Sequence, residues 1–461
     1  MPRLLQVVFF SNGMNVAPRL NMREPKHATQ KQVVVIGGGF GGLSFVKSFK
    51  SGHAKITLID KRNHHLFQPL LYQVATSNLA APDVAQPLRA IFNHRPDVRV
   101  LMESVEHIHL DEQTITMHNR TLAYDYLVIA AGRQTSFFGN EHWAKFATGL
   151  KSLEDAKRIR NDILTAFERA ENHTGSETEL QTLLTIVVIG AGPTGVEMAG
   201  TLAELTRRSL PRDFRNFNPS ATRIVLLEAV DRVLPPYPQV LSAKARKQLE
   251  ELGVEVKLGH MVKNIRHQQV ELDTGEIIDA ANIIWTAGLS ANSLIDSLDL
   301  TKDKAGCLKV EKDCSLPGSP NVFAIGDIIH LQDTKGKVVP GVAQGAMQTG
   351  KHVANVIARE LDGELHRASF HYKDVGEMAT IGRYRAVANI GKLKVSGFFA
   401  WILWLFVHLI ALVGLRNRMV VFLNWLSAYL FERPCSRIIW GANTPEHPKN
   451  HSSNHKKRAN G

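Results

Sequence analysis

An apolar strand running straight into Gly-x-Gly-x-x-Gly occurs twice in this chain, about 150 residues apart, and this repeat restricts the fold more than anything else in it. The first copy is Gln32-Val33-Val34-Val35-Ile36, then Gly37-Gly38-Gly39-Phe40-Gly41-Gly42, a helix-compatible stretch, and the strand Lys55-Ile56-Thr57-Leu58-Ile59-Asp60. The second is Thr185-Ile186-Val187-Val188-Ile189, then Gly190-Ala191-Gly192-Pro193-Thr194-Gly195, and later Arg223-Ile224-Val225-Leu226-Leu227-Glu228. In each loop the first glycine permits a tight turn, the next lets the main chain approach a pyrophosphate, and the third lets the helix pack on the strand. A phosphate at that helix start meets unpaired N–H groups and the positive end of the helix dipole. One such loop could be only a strand–helix turn. Two, each followed by a strand ending in an acid, predict an α/β chain with two doubly wound dinucleotide-binding domains.

The 461 residues suffice for about three domains. A content of 44% hydrophobic and 21% charged residues excludes a disordered, collagen-like or mucin-like chain. The expected layout is a poorly structured extension over 1–30, a first FAD-binding segment over 31–150, and an NADH-binding domain over 151–286. The chain then returns to the FAD-binding domain over 287–362, continues as a membrane-anchoring domain over 363–440, and ends in a basic flexible tail over 441–461. Residues 4–10 are apolar after Arg3, but no small-residue cleavage site follows, which argues against a signal peptide. Met14 and Met22 are alternative starts. Residues 205–221 read as a long basic loop.

Asp60 ends the strand after the first loop and Glu228 the strand after the second, each placed to accept hydrogen bonds from a ribose. A carboxylate there repels a 2′-phosphate, which favours NADH over NADPH; Arg232 close by weakens that preference. Two cradles mean two dinucleotides, and FAD with NAD(P)H is the usual pairing, FAD in the first. Asp327, after the apolar strand and Gly326, fits the flavin ribityl chain, or is simply a turn residue. Gln344 and Gln348 are four apart, so on a helix they share one face among the small residues Ala343, Gly345 and Ala346. Small side chains admit a flat ring, and amides bind a quinone carbonyl without adding charge. Two surface glutamines would look the same.

With these residues in view, the chain resembles the type II NADH dehydrogenases, NADH:quinone oxidoreductases among the flavoproteins with two dinucleotide-binding domains. The likeness covers roughly residues 31–440. It rests on residues 37–42, on Asp60-Lys61-Arg62-Asn63-His64-His65-Leu66-Phe67-Gln68-Pro69-Leu70-Leu71-Tyr72-Gln73, on 190–197, 214–219 and Gly326-Asp327, and on Ala343-Gln344-Gly345-Ala346-Met347-Gln348. It implies a glutathione-reductase-like arrangement of the two domains. It further implies that FAD is held by Gly37, Gly38, Gly39, Phe40, Gly41, Gly42, Asp60, Lys61, Ala131, Gly132, Asp327 and Ala343. NADH would be held by Gly190, Gly192, Thr194, Gly195, Glu228 and Gly288. Glu197 matches the family's acid near the nicotinamide and flavin, although an acid in a first helical turn is also favoured by the dipole alone. Gln344 and Gln348 match the glutamines lining the quinone pocket. Arg133 departs from the pattern, where a smaller residue is expected.

The implied activity is hydride transfer from NADH to FAD and then of two electrons to a membrane quinone, without proton pumping. A soluble NADH-dependent reductase of a protein carrier and a non-enzymatic NADH-sensing flavoprotein are the alternatives. Thiol chemistry is excluded by position: residues 1–306 contain no cysteine, and Cys307 and Cys314 read as ordinary surface thiols in a polar turn. No His/Cys metal pattern and no nucleic-acid motif occurs.

Residues 398–415 form an 18-residue apolar run whose one strongly polar side chain is His408. As a helix it would be about 27 Å long, marginal for a span. Arg416-Asn417-Arg418 should break it, and a second apolar piece over 419–431 is too short to cross. Eight basic residues against two acids in 416–461, half of the chain's formal +12, suit an anionic lipid surface. Trp401, Trp404, Trp425 and Tyr429 fit interfacial positions. A helix lying in the headgroup layer is favoured over a true span or a buried soluble core. The expected setting is the cytoplasmic face of a bacterial inner membrane, as a homodimer.

Overall fold

The computed structural model describes residues 30–333, 336–431 and 436–441. All but one residue each of the expected extension (1–30) and tail (441–461) lie outside them, as does Cys435. Strand β1 (Lys31–Ile36) leads through the first glycine loop into helix α1 (Phe40–Ser48), and β2 (Ala54–Asp60) returns parallel to it with Ile36 opposite Ile59. β3 (Val98–Met102) pairs with β2, and β4 (Tyr126–Ile129) with the other edge of β1. After the 19-residue helix α2 (Leu153–Glu171) the unit is repeated by β5 (Thr185–Ile189), α3 (Pro193–Glu204), β6 (Arg223–Glu228), β7 (Val254–Leu258) and β8 (Asn282–Trp285). The chain then returns to the first sheet as β9 (Ser319–Ala324), beside β4, followed by α4 (Ala343–Leu361).

The first sheet is six-stranded, in the order Ser315–Leu316, β9, β4, β1, β2, β3; the second is five-stranded, Thr148–Gly149, β8, β5, β6, β7. Both are doubly wound α/β sheets. Val33 to Ile36 and all of β5 are buried, the continuous apolar run of parallel strands covered on both faces. Helix α2 starts where Ser152 accepts from Asp155 N–H and the Asp155 carboxylate accepts from Ser152 N–H. The basic stretch 205–221 is not a loose loop. It continues α3 in a wide turn, Leu205–Ser209, then tight turns Leu210–Arg212 and Pro219–Ala221, while Phe214 and Phe217 pack on Phe167.

The C-terminal region is an antiparallel meander, β10 (Glu377–Gly382), β11 (Arg385–Ile390) and β12 (Leu393–Ser396), followed by α5 (Phe398–Ala411) and α6 (Leu415–Phe431). The expected 18-residue helix is therefore broken, and earlier than the Arg-Asn-Arg triplet. Gly414, at φ +86°, turns the chain, and Arg418 Nε donates to Leu412 O (2.8 Å), placing a cation at the carbonyl end of α5. Arg416, Asn417 and Arg418 lie instead in the first turn of α6, where Asn417 donates to Pro82 O and Ala85 O. Among the described residues no helix is long and apolar enough to cross a membrane.

The tryptophans correct the expectation again. Trp401, Trp404 and Trp425 are at most 5% exposed; Trp404 and Trp425 share a core with α3 and with the segment around Leu70. The outward face is made by Phe399, Phe406, Ile410, Leu415, Met419, Leu423 and Leu430, each more than half exposed. Asn424 of α6 donates from Nδ2 to Asp83 Oδ2 (3.0 Å).

Candidate functional site

The two glycine loops are near copies at atomic level. Gly37 (φ +103°) and Gly190 (φ +98°) take a backbone conformation L side chains rarely adopt, and a Cβ on either would meet the chain at Ala130 O or Ala287 N. A Cβ on Gly42 would lie 1.9 Å from Gly37 O, and one on Gly195 1.8 Å from Gly190 O, so both helices press directly on their strands. Above Gly39 and Gly192 nothing lies within 4 Å, leaving open space where a pyrophosphate can approach each helix start. The acids repeat the symmetry. Asp60 accepts from Gly38 N–H (2.7 Å) and Arg62 N–H, and Glu228 from Ala191 N–H (2.7 Å) and Val230 N–H. The residues present therefore fit two dinucleotides.

The surroundings of the loops differ. His65 is 2% exposed, and its Nδ1 lies 2.9 Å from Gly38 O; Phe40 packs edge-on against His65 and Phe67. Burial pushes the His65 pKa down to about 4, so the ring is neutral. In the second loop Pro193 and Thr194 are exposed. Gly288 abuts the turn holding Ser136 and Phe138, and Trp285 Nε1 donates to Ser136 O (2.9 Å). Lys61 is exposed, while Ala131 and Gly132 lie half-buried at the end of β4 beside the first loop.

Asp327 stands just past the end of β9, and its carboxylate accepts no hydrogen bond from the described residues. Its main-chain oxygen accepts from Arg133 Nε (2.7 Å), and Arg133 Nη2 donates to Cys307 Sγ (3.1 Å). The departure at Arg133 is thus accommodated: the guanidinium fastens the Asp327 segment and lies against Gly341. Cys307 and Cys314 are buried, not surface thiols, and burial raises both thiol pKa values, which makes them poor nucleophiles. Lys151, which sequence reasoning passed over, stands near Asp327 and Arg133; burial lowers its pKa while Asp327 acts against that.

The two glutamines part company. Gln344, in the first turn of α4 next to half-buried Ala343, has no hydrogen-bond partner among the described residues. Gln348 has both amide atoms engaged by Lys373, Nε2 donating to its carbonyl and Oε1 accepting its N–H, each at 2.9 Å. Small residues do allow close approach on this helix: a Cβ on Gly350 would sit 2.3 Å from Gly41 O of α1.

Glu197 is buried in α3, facing the indole of Trp404 and the main chain of Thr380, and burial holds its pKa well above the carboxylate range. Sequence reasoning missed Glu204, two turns further along, and Tyr72, which faces both acids. The signal was available: acids seven apart on a helix whose other residues are mostly small or apolar. A cavity of about 160 Å³ lined by Lys145, Arg158, Asp162, His267 and Asn282 lies at the start of β8, the sheet end opposite the second loop. No three His, Cys, Asp or Glu side chains gather to hold a metal among the described residues.

A family model described as pyridine nucleotide-disulphide oxidoreductase matches residues 31–350, and one described as the NDH2 C-terminal domain matches 375–434. The chain is 45% identical over 410 residues to the type II NADH:quinone oxidoreductase NdhA of Mycobacterium tuberculosis, covering 86% of each chain. It is 42% identical over 416 residues to Ndh of the same organism, covering 87% of this chain and 89% of that one. Among solved structures, NDH2 from Plasmodium falciparum in complex with NADH superimposes with a TM-score of 0.81 at 21% identity, over 88% of this chain and 99% of that one.

Proposed function

We propose that this chain, which belongs to the type II NADH:quinone oxidoreductase family, passes reducing equivalents from NADH to a membrane quinone through FAD. The observation that carries the proposal is the pair of matching glycine cradles, one lined by packed aromatic residues and one open, with an unengaged amide at Gln344. FAD, when bound, supplies the chemistry of accepting a hydride and returning electrons two at a time. The chain's own residues bind, orient and shield.

The first cradle holds FAD: the loop 37–42 takes the pyrophosphate, Asp60 the ribose, and Asp327 the ribityl hydroxyls. The second holds NADH through Gly190, Gly192, Gly195 and Glu228. Arg232 is exposed and its Nη2 donates to Pro235 O (3.1 Å), which leaves its other N–H groups available, so the preference for NADH rests on Glu228 alone. Gln344 presents its amide to a quinone carbonyl, whereas Gln348 fixes the segment at Lys373 that walls the site. The two cradles would hold the nicotinamide and flavin rings together, and that positioning would supply much of the rate.

The exposed apolar face of α5 and α6 beside Arg416 lies on a bilayer surface, bringing the site to the lipid where quinone resides. Removing everything from Phe398 onward is not a clean test of this, since Trp404 and Trp425 belong to the core. Phe406→Glu with Leu423→Glu keeps the core and should abolish co-sedimentation with anionic vesicles; unchanged binding sinks the docking.

The deciding experiment is anaerobic: NADH is added to the FAD-loaded protein, then a short-chain quinone. Bleaching by NADH and prompt recolouring by quinone are expected, and a bleached protein that quinone leaves bleached overturns the proposal. Gln344→Ala should slow recolouring roughly tenfold, the loss of about one hydrogen bond, with bleaching unchanged. Equal slowing of both steps removes Gln344 from the quinone site.

A further inference from the structure

The end of the second sheet away from its glycine loop carries polar groups that the proposed reaction does not use. Helix α2 lies there beside the edge strand Thr148–Gly149 and the start of β8. The turn between the strands Val262–Arg266 and Gln269–Leu272 completes the wall. Gln268 takes φ +57° in that turn, and its carbonyl accepts from Ala280 N–H (2.9 Å), which fastens the turn to the chain entering β8. Together these elements bound the cavity of about 160 Å³, with Ile159, Ile283 and Ile284 as buried apolar walls. At roughly 30 Å³ per water it holds about five, and a cavity of similar size can take a six-carbon ring.

Two buried polar side chains line it. Thr148 is 8% exposed and Asn282 6%, and neither the hydroxyl nor the amide has a hydrogen-bond partner among the described residues. Buried groups of this kind are nearly always paired, with protein, ordered water or a ligand. At the mouth stand exposed Lys145, Arg158 and His267, with one acid, Asp162, 3.7 Å from Arg158 Nε. Lys145 has neither a hydrogen bond nor an ion pair among the described residues, and Arg158 has no hydrogen bond there. Two permanent cations against one acid attract an anion to the mouth. The neutral hydroxyl and amide further in suit a group that both donates and accepts, such as an alcohol.

We propose that this cavity binds a small hydroxylated organic anion of about six to ten non-hydrogen atoms, its carboxylate or phosphate at Lys145 and Arg158 and its hydroxyl at Thr148 and Asn282. The site is at the opposite end of the sheet from the second glycine loop, so the anion and NADH are held at the same time. Its walls are set by α2 and the sheet, and binding therefore costs little ordering. The Asp162 carboxylate opposes the anion and limits its affinity. None of this depends on the NADH:quinone activity proposed above.

The test titrates two probes into the full-length, FAD-loaded protein by calorimetry: L-malate, a hydroxylated carboxylate, and glycerol 3-phosphate, a hydroxylated phosphate ester. Saturable binding of at least one is expected, with excess NAD⁺ present, and that probe should raise Tm. Binding of malate alone identifies a carboxylate ligand, and of glycerol 3-phosphate alone a phosphate ester. Lys145→Ala with Arg158→Ala should weaken binding roughly tenfold to a hundredfold. Both positions are exposed, so Tm without the probe should stay the same. Asp162→Asn should tighten binding a few-fold. Thr148→Val keeps the volume, loses the hydroxyl and should weaken binding roughly tenfold; Asn282→Ala decides the inner contact if that variant fails to fold. A cavity that takes neither probe and holds water only overturns the site. So does a probe that NAD⁺ displaces, or one that the Lys145 and Arg158 double variant binds as tightly as the wild type.

Discussion

The two cradles have the same backbone and different neighbourhoods. In the first, Gly38 is buried under Leu88, held through His65, and followed by Phe40, which packs on His65 and Phe67. In the second, Ala191 at the position of Gly38 is buried as well, but Pro193 and Thr194, at the positions of Phe40 and Gly41, stand in solvent. Identical glycine geometry thus serves two purposes: an enclosed cradle suits a group that never leaves, and an open one a substrate that exchanges every turnover. That contrast is what placing FAD in the first and NADH in the second requires.

The largest effect should come from adding one methyl group to each cradle. Gly42→Ala drives a Cβ into Gly37 O and should yield protein without FAD, read from the flavin absorbance per chain. Gly195→Ala drives one into Gly190 O and should leave the FAD content intact while bleaching by NADH falls more than about 100-fold, some 3 kcal/mol. Loss of flavin from both variants would erase the distinction.

Acid should separate the cradles next. The pKa of His65 falls from 6.5 to about 4 on folding, so its neutral-ring stabilisation is complete above pH 6.5 and is lost as pH falls toward 4. That loss amounts to about 3 kcal/mol. His408, stacked on Trp404 and also near pKa 4, adds in the same direction. FAD release and a falling Tm are expected between pH 6.5 and 4.5, and His408→Phe should flatten part of the fall. A Tm independent of pH in that window refutes the account.

The smallest effect is the most specific. Glu228→Gln removes the charge that repels a 2′-phosphate and should shift kcat/KM roughly tenfold toward NADPH. Asp60→Asn should weaken FAD retention and leave that ratio alone; a shift from Asp60→Asn would mean the cradles are assigned the wrong way round.

Both cradles were legible in the chain because their requirements are local. A positive φ at Gly37 or Gly190 and an acid ending the second strand are written within a few dozen residues. The C-terminal helices were legible in composition but not in orientation. Three aromatic residues expected at a lipid interface are core, because Trp404 packs with α3 and Trp425 donates to Gln73, 352 residues away. The paired glutamines likewise looked equivalent until Lys373 engaged one of them.

By itself, then, the order of residues determined that this chain folds around two dinucleotide cradles and carries an apolar C-terminal segment, since glycine, strand hydrophobicity and helical period act over short distances. Only the tertiary structure decided which cradle is enclosed, which face of the last helices is left outward, and that Trp404 and Trp425 belong to the core. Those outcomes depend on contacts between residues hundreds of positions apart, and a contact of that kind leaves no periodic trace in either segment.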